Sequence, residues 1–279
     1  MQTNVADVLA KHDRIAVIAG EGVLPLEIAK RLTEHGKAPL VITMRNDTDS
    51  FQGIADPLVC MRYPKLGYAI NEMRKHGVQS VIMAGRVSKK LIYIPALFDA
   101  LTLKYLARIS HDDHSLLAAA VDIIESNGIS VLPYWHILPE FLASEGQLGH
   151  RPPTEKETRD FEYGVSVLKI TLPCSFGQAL VVADEAIVAI EALEGTDDMI
   201  KRAGNLIPKG TLVKMMRSDQ DLRYDLPTVG PKTIENMAES GLSCLALEAR
   251  RTLIVDSGKF FDLARAKDIA VWGLPCQIQ

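Results

Sequence analysis

The sequence predicts two consecutive α/β domains, the first with a mostly parallel sheet and the second a mixed one. Three observations carry this prediction. Short Val/Ile-rich runs alternate with helical periodicity through the first half, a Gly/Pro-rich stretch at residues 145–153 interrupts the pattern, and alternation resumes after it. A chain of 279 residues also exceeds the usual single-domain size. The domains are placed at residues 1–150 and 151–279.

In the first domain the expected strands are residues 14–19, 39–44, 57–61, 78–84 and 129–132, each rich in Val and Ile and short enough to be buried on both faces. Between them, Leu24, Ile28 and Leu32 recur every four residues before Gly36, and Leu66, Ile70 and Met73 do much the same before Gly77. Each set gives a helix an apolar face and a glycine stop. A long helical stretch, residues 94–126, is broken near Ser110-His111-Asp112-Asp113, where side-chain oxygens can cap a second helix. Strands alternating with helices in this way make the first domain Rossmann-like.

The second domain opens on a Thr-x-x-Glu capping box, Thr154 and Glu157, before a helix carrying Phe161, Val165 and Leu168. Runs 178–183 and 186–191, joined by Asp184-Glu185, predict a hairpin. Further strands are expected at 211–216, 244–249 and 252–256, and helices at 197–203, 231–240 and 259–267.

Composition excludes several functions. A net charge of -4 supplies no basic field for nucleic acid. The four cysteines are far apart, without a C-x-x-C pair, and read as reduced packing residues of a cytoplasmic protein. The first 14 residues lack the apolar core of a secretory signal, and no apolar run approaches the roughly 18 residues of a membrane span. Any membrane contact is expected to be peripheral.

Several segments can carry chemistry. Gly20-Glu21-Gly22-Val23-Leu24-Pro25 leads from the first strand into the first helix and reads either as an ordinary turn or as a phosphate loop; Pro25 stands where a dinucleotide fingerprint wants its third glycine. Gly85-Arg86-Val87-Ser88-Lys89-Lys90 follows the fourth strand, where Arg86 can grip a phosphate or the segment can be a solvated basic loop. The apolar run at residues 91–98 reads as core or as an acyl-chain groove. Asp112-Asp113-His114 reads as a helix cap or as metal ligands.

The second domain is richer. Glu191, Glu194, Asp197 and Asp198 run from a strand end through Gly195-Thr196 into a helix, more acids than capping needs and suited to Mg²⁺. Lys214, Arg217, Asp219, Asp221, Arg223, Asp225 and Lys232 mix acids with cations, as a diphosphate-cleaving site would; a solvated charged loop is the alternative. Gly230-Pro231-Lys232-Thr233 opens another helix whose amides can meet an anion.

These strings resemble the LpxI family, the UDP-2,3-diacylglucosamine pyrophosphatases of lipid A biosynthesis in some Gram-negative bacteria. The resemblance spans nearly the whole chain: residues 20–25, Ala84-Gly85-Arg86-Val87, Asp112-Asp113-His114, Arg151-Pro152-Pro153, Gly177-Gln178-Ala179, residues 191–198 and residues 220–233. It implies a homodimer, a substrate held between two α/β domains, and metal-dependent attack of water on the α-phosphorus to give UMP and 2,3-diacylglucosamine 1-phosphate, with Mg²⁺ or Mn²⁺ as cofactor. On this resemblance Asp225 is the essential carboxylate, acting on water or metal, with Asp221, Glu191, Glu194 and Asp197 as partners. Lys214, Arg217 and Arg223 would stabilise charge on the diphosphate. Gly20, Gly22, Arg86, Gln178, Thr196, Thr228, Lys232 and Thr233 are the expected substrate-binding residues. The competing functions are a nicotinamide-dependent oxidoreductase using the first glycine turn and a non-enzymatic lipid carrier using an apolar groove.

Overall fold

A computed structural model describes residues 4–44, 48–61, 63–87, 98–106, 113–174, 177–217 and 220–276. The chain forms two compact units. Unit 1 is Met1–Pro139 together with Asp221–Asp225, and unit 2 is Glu140–Gln220 with Leu226–Gln279. Among the described residues no helix is long and apolar enough to cross a membrane.

Unit 1 begins with helix α1 (Val5–Leu9), capped by the Asn4 side chain, and strand β1 (Ile15–Ala19). Helix α2 (Leu24–Glu34), β2 (Leu40–Thr43), β3 (Leu58–Cys60), α3 (Leu66–Lys75), β4 (Ser80–Ala84), α4 (Ala100–Leu106), α5 (Asp113–Ser126) and β5 (Ser130–Val131) follow. The sheet is wholly parallel in the order β3-β2-β1-β4-β5. Every residue of β1 and β2 is buried, as continuous apolar runs require when helices cover both faces. The expected strands are all present, trimmed by one or two residues at their ends. The long helical stretch is two helices, and the residues between α4 and α5 lie outside the described set, as do Ser88, Lys89 and Lys90 and the apolar residues 91–97.

The order reverses direction between β1 and β4, so the turns leaving these strands meet at the carboxyl edge, the topological switch point of an open α/β sheet. Gly20 N-H donates to Ala84 O at 2.8 Å, and Glu21 and Arg86 exchange two backbone hydrogen bonds, each 2.8 Å. A β-carbon on Gly20 would stand 2.6 Å from Arg86 O, and one on Gly85, at φ +87°, would stand 2.7 Å from Glu21 O. The glycines let two turns zip together.

Unit 2 holds β6 (Gly146–Gln147), α6 (Glu155–Thr171), the hairpin β7 (Ala179–Ala183) and β8 (Ala186–Ile190), α7 (Thr196–Gly204) and β9 (Gly210–Lys214). After them come β10 (Thr228–Val229), α8 (Pro231–Glu239), β11 (Leu242–Glu248), β12 (Leu253–Ile254), α9 (Ser257–Ala266) and β13 (Ala270–Leu274). The main sheet runs β6-β13-β11-β9-β7-β8, parallel at its centre and antiparallel at both margins. Helix α6 packs on one face and α7, α8 and α9 on the other. The capping box at Thr154 and Glu157 closes as expected. At the hairpin tip Asp184 and Glu185 both take positive φ, the conformation a two-residue turn needs to follow strand twist.

The sequence reading misses α1, β6, β10 and β13. In β13 a β-carbon on Gly273 would overlap Ser144 O, so the glycine marks where another backbone crosses. Residues 145–153, expected as a linker, are anchored. Gly146 and Gln147 pair with β13, and Arg151 clamps Glu157 through two hydrogen bonds of 2.8 and 3.0 Å while also reaching Ser243 O and Asp268.

Candidate active site

The carboxyl edge of unit 2 gathers most of the predicted polar residues. Because β7 runs antiparallel to β9, with Ala179 opposite Lys214, the start of β7 and the end of β8 lie on the same edge as the ends of β9 and β11. Gln178, Glu191, Lys214 and Glu248 therefore share one rim. Gly177 is required here, since a β-carbon would fall 2.1 Å from Glu191 O where the two strands meet.

Lys214 is 8 % exposed, and its Nζ donates to Thr196 Oγ1 at 3.2 Å and to Thr228 O at 3.3 Å. Thr196 Oγ1 in turn donates to Glu191 Oε1 at 2.8 Å, and Gln178 N-H donates to Glu191 Oε2 at 3.0 Å. A cation, a hydroxyl and a carboxylate are thus linked through one threonine at the start of α7, where Gly195 at φ +84° turns the chain into the helix. A nearly buried ammonium interacts more strongly with an incoming phosphate than an exposed one, because less water screens it.

The other predicted acids of this turn are held individually. Glu194 accepts from Arg202 Nη2 at 2.6 Å, which keeps its carboxyl below the usual range, and Asp197 accepts from Asn236 Nδ2 at 2.8 Å. Thr228 Oγ1 donates to Leu226 O. At the start of α8, Thr233 Oγ1 accepts from Gly230 N-H at 3.3 Å, and exposed Lys232 pairs with Glu235 at 3.4 Å.

After β9 the chain turns through Met215, Met216 and Arg217, which is 7 % exposed. Arg217 and Gln220 exchange backbone and side-chain hydrogen bonds across the turn; Ser218 and Asp219 lie outside the described residues. The segment is held from below by Glu248, a 1 % exposed carboxylate at the end of β11 that accepts from Met216 N-H at 2.8 Å. Sequence reasoning passed over Glu248. Its signal was a lone acid ending the apolar run Leu242–Glu248.

Asp221, Arg223 and Asp225 belong to unit 1. Arg223 wraps Asp221, donating from its backbone N-H, Nε and Nη2 at 2.6–3.0 Å, and extends Nη1 to Glu125 of α5 at 2.7 Å. Burial raises the Asp221 carboxyl, but the Arg223 hydrogen bonds outweigh it and leave the net shift downward. Tyr224 packs against the unit 1 core, and burial, reinforced by the Asp221 charge, pushes its phenol up to about 12. Asp225 closes the turn through its N-H to Asp221 O at 3.3 Å and is half-buried.

In the glycine turns of unit 1, the Gly20 and Glu21 amides are committed to Ala84 O and Arg86 O. Gly22 stands at φ +106° and Arg86 is exposed. Asp113 opens α5, whereas Asp112 lies outside the described residues. Among the described residues, no three His, Cys, Asp or Glu side chains gather as a preformed metal cage.

Two domain models match the chain. The LpxI N-terminal domain matches residues 14–141 and the LpxI C-terminal domain residues 144–272. The UDP-2,3-diacylglucosamine pyrophosphatase LpxI of Caulobacter vibrioides is 30 % identical to it over 94 % of this chain and 96 % of the relative.

Proposed function

The chain belongs to the LpxI family, and from that membership we propose that it hydrolyses UDP-2,3-diacylglucosamine to UMP and 2,3-diacylglucosamine 1-phosphate, water attacking the α-phosphorus. The observation that carries the proposal is the relative's similarity along both chains nearly end to end. The Lys214 cluster supports it, since cleaving a diphosphate needs fixed positive charge where negative charge accumulates.

In this reading Lys214, oriented by Thr196 and Thr228, binds the diphosphate and neutralises charge on the leaving phosphate. Glu191 keeps the Thr196 hydroxyl turned so that its oxygen faces the ammonium. Arg217 adds a second cation three residues on. Gln178, Thr228, Lys232 and Thr233 line the rim on which the substrate's polar part is bound, and Gly20, Gly22 and Arg86 present the switch-point surface of unit 1. Asp225 is the essential carboxylate, with Asp221 fixed beside it by Arg223.

The donor set suits Mg²⁺ or Mn²⁺ shared with substrate: the acids are hard oxygen donors, and such ions commonly take one or two carboxylates and complete their shell with phosphates and water. In unit 2 Glu191, Glu194 and Asp197 would be the carboxylates open to such an ion, and in unit 1 Asp225 would be. When bound, it supplies charge neutralisation on the phosphates and a site for water. The family likeness also supports a cytoplasmic homodimer.

The test is UMP release by the wild type and by Asp225→Ala, each with Mg²⁺ and with EDTA. Release by the wild type with Mg²⁺ alone is expected. Absence of hydrolysis under every condition would sink the proposal in favour of a lipid carrier.

A further inference from the structure

We propose that Glu248 is a positioning residue of the reaction, setting where Arg217 meets the substrate's diphosphate; the proposal rests on the hydrolase reading above for Arg217's task. Glu248 ends β11 with 1 % of its surface exposed. A carboxylate buried at the end of an apolar strand costs free energy that a neutral side chain would not, so its presence is explained by what it holds. The ladder shows what that is. Strands β9 and β11 pair as far as Lys214, which stands opposite Leu247. Beyond that pair β11 stays with β13, Glu248 opposite Leu274 and the Ala249 N-H donating to Leu274 O, before the chain turns through Arg250 at φ +61°.

The chain leaving β9 is then held from alternate sides. On the β7 side the Met215 N-H donates to Gln178 O at 3.0 Å, and on the β11 side the Met216 N-H donates to Glu248 Oε2 at 2.8 Å. The carboxylate stands in for a strand carbonyl, and an ionised acceptor holds an amide roughly twice as strongly as a neutral one. Its other oxygen lies 3.7 Å from Arg251 Nη1, a contact that offsets burial without competing for Met216. Arg217 follows directly. Its N-H donates to Gln220 Oε1 at 3.4 Å and its carbonyl accepts from the Gln220 N-H at 3.3 Å, so the root of the guanidinium is fixed by Glu248 before it and Gln220 after it. Lys214 and Arg217 are both nearly buried cations, and each has its carboxylate. Glu191 orders Lys214 through Thr196, and Glu248 orders Arg217 through the Met216 backbone.

Reach, not charge, is what this role demands. In UMP release kcat/KM should fall about 10–100-fold for Glu248→Ala and for Glu248→Asp, whose carboxylate stops a methylene short, the range that a misplacement of about 1 Å costs. Glu248→Gln, which keeps an acceptor at the same distance, should recover most of the loss. A carboxylate that served only to neutralise Arg251 would reverse the order of the Asp and Gln variants, and that order overturns the proposal. In an Arg217→Ala background the Glu248 substitutions should lower the rate by less than about twofold. Losses that multiply, or an Arg217→Ala protein as active as the wild type, overturn it as well. Calorimetric binding of UDP repeats the comparison without hydrolysis: Arg217→Ala and Glu248→Asp should each weaken UDP about tenfold, and no more together than singly. The hydrolase reading fails only if the wild type releases no UMP. The positioning role fails, whatever that rate, if Glu248→Asp binds UDP as the wild type does.

Discussion

The two units present the same kind of edge, the carboxyl ends of parallel strands, and use it differently. In unit 1 the turns after β1 and β4 spend backbone amides on each other, with Gly20 and Gly85 chosen for close approach. In unit 2 the corresponding rim is built from side chains, Lys214, Thr196 and Glu191, with Gly177 and Gly195 clearing space around them. A glycine-rich turn after a strand is therefore evidence of a tight backbone first and of a phosphate loop only when its amides remain unspent.

The sharpest way to break this contrast is to remove the Lys214 side chain of unit 2 and the Asp225 side chain of the 221–225 segment. Asp225→Ala should lower UMP release by roughly 10²–10⁴-fold, the span of a lost acid–base group. Lys214→Ala should lower kcat by about 10²–10³-fold, as loss of a charge-stabilising donor does, with Lys214→Arg recovering part of it. Wild-type rates from Lys214→Ala would show that the rim is only structural.

Unit 1 should respond in stability. Gly85→Ala adds a β-carbon against Glu21 O at positive φ and is expected to cost about 1–3 kcal/mol, measured by denaturant unfolding. Gly195→Ala meets open space, so its cost, also about 1–3 kcal/mol, comes from the backbone strain of φ +84°, ψ 169° alone and is expected to be the smaller of the two. Equal costs would remove the distinction between a zipped turn and an open one.

The clamp before α6 separates packing from chemistry within unit 2. Burial raises the Glu157 carboxyl, but Arg151, Thr154 and Ser243 hydrogen-bond it and bring it down to about 2. Since the folded value lies below the ordinary one near 4.5, the stabilisation is complete above pH about 4.5 and fades as the pH falls towards 2. Arg151→Ala should cost about 2 kcal/mol at neutral pH and flatten that acid limb in pH-dependent melting. The smallest effect is expected at Arg223 and Glu125, a partly exposed pair: Glu125→Gln should change stability by less than about 1 kcal/mol.

Most elements were legible in the sequence because their signals are local. Apolar runs of four to seven residues gave the strands, four-residue recurrence and glycine stops gave α2 and α3, and the Thr154–Glu157 box gave the start of α6. The same local reading placed Lys214, Glu191 and Thr196 near strand ends and helix starts. It missed β13, whose Gly273 answers to a distant backbone, and Glu248, whose role depends on the neighbouring strand's turn.

By itself the sequence determined the α/β alternation, the caps and turns, and the concentration of charge after β9, since periodicity and capping act within a few residues. Only the tertiary structure decided that Gly20 and Gly85 serve each other, that Lys214 meets Thr196, and that Asp221–Asp225 packs with unit 1. Those outcomes are set by contacts between segments far apart in the chain, where burial and hydrogen-bond satisfaction choose among partners that local sequence leaves equivalent.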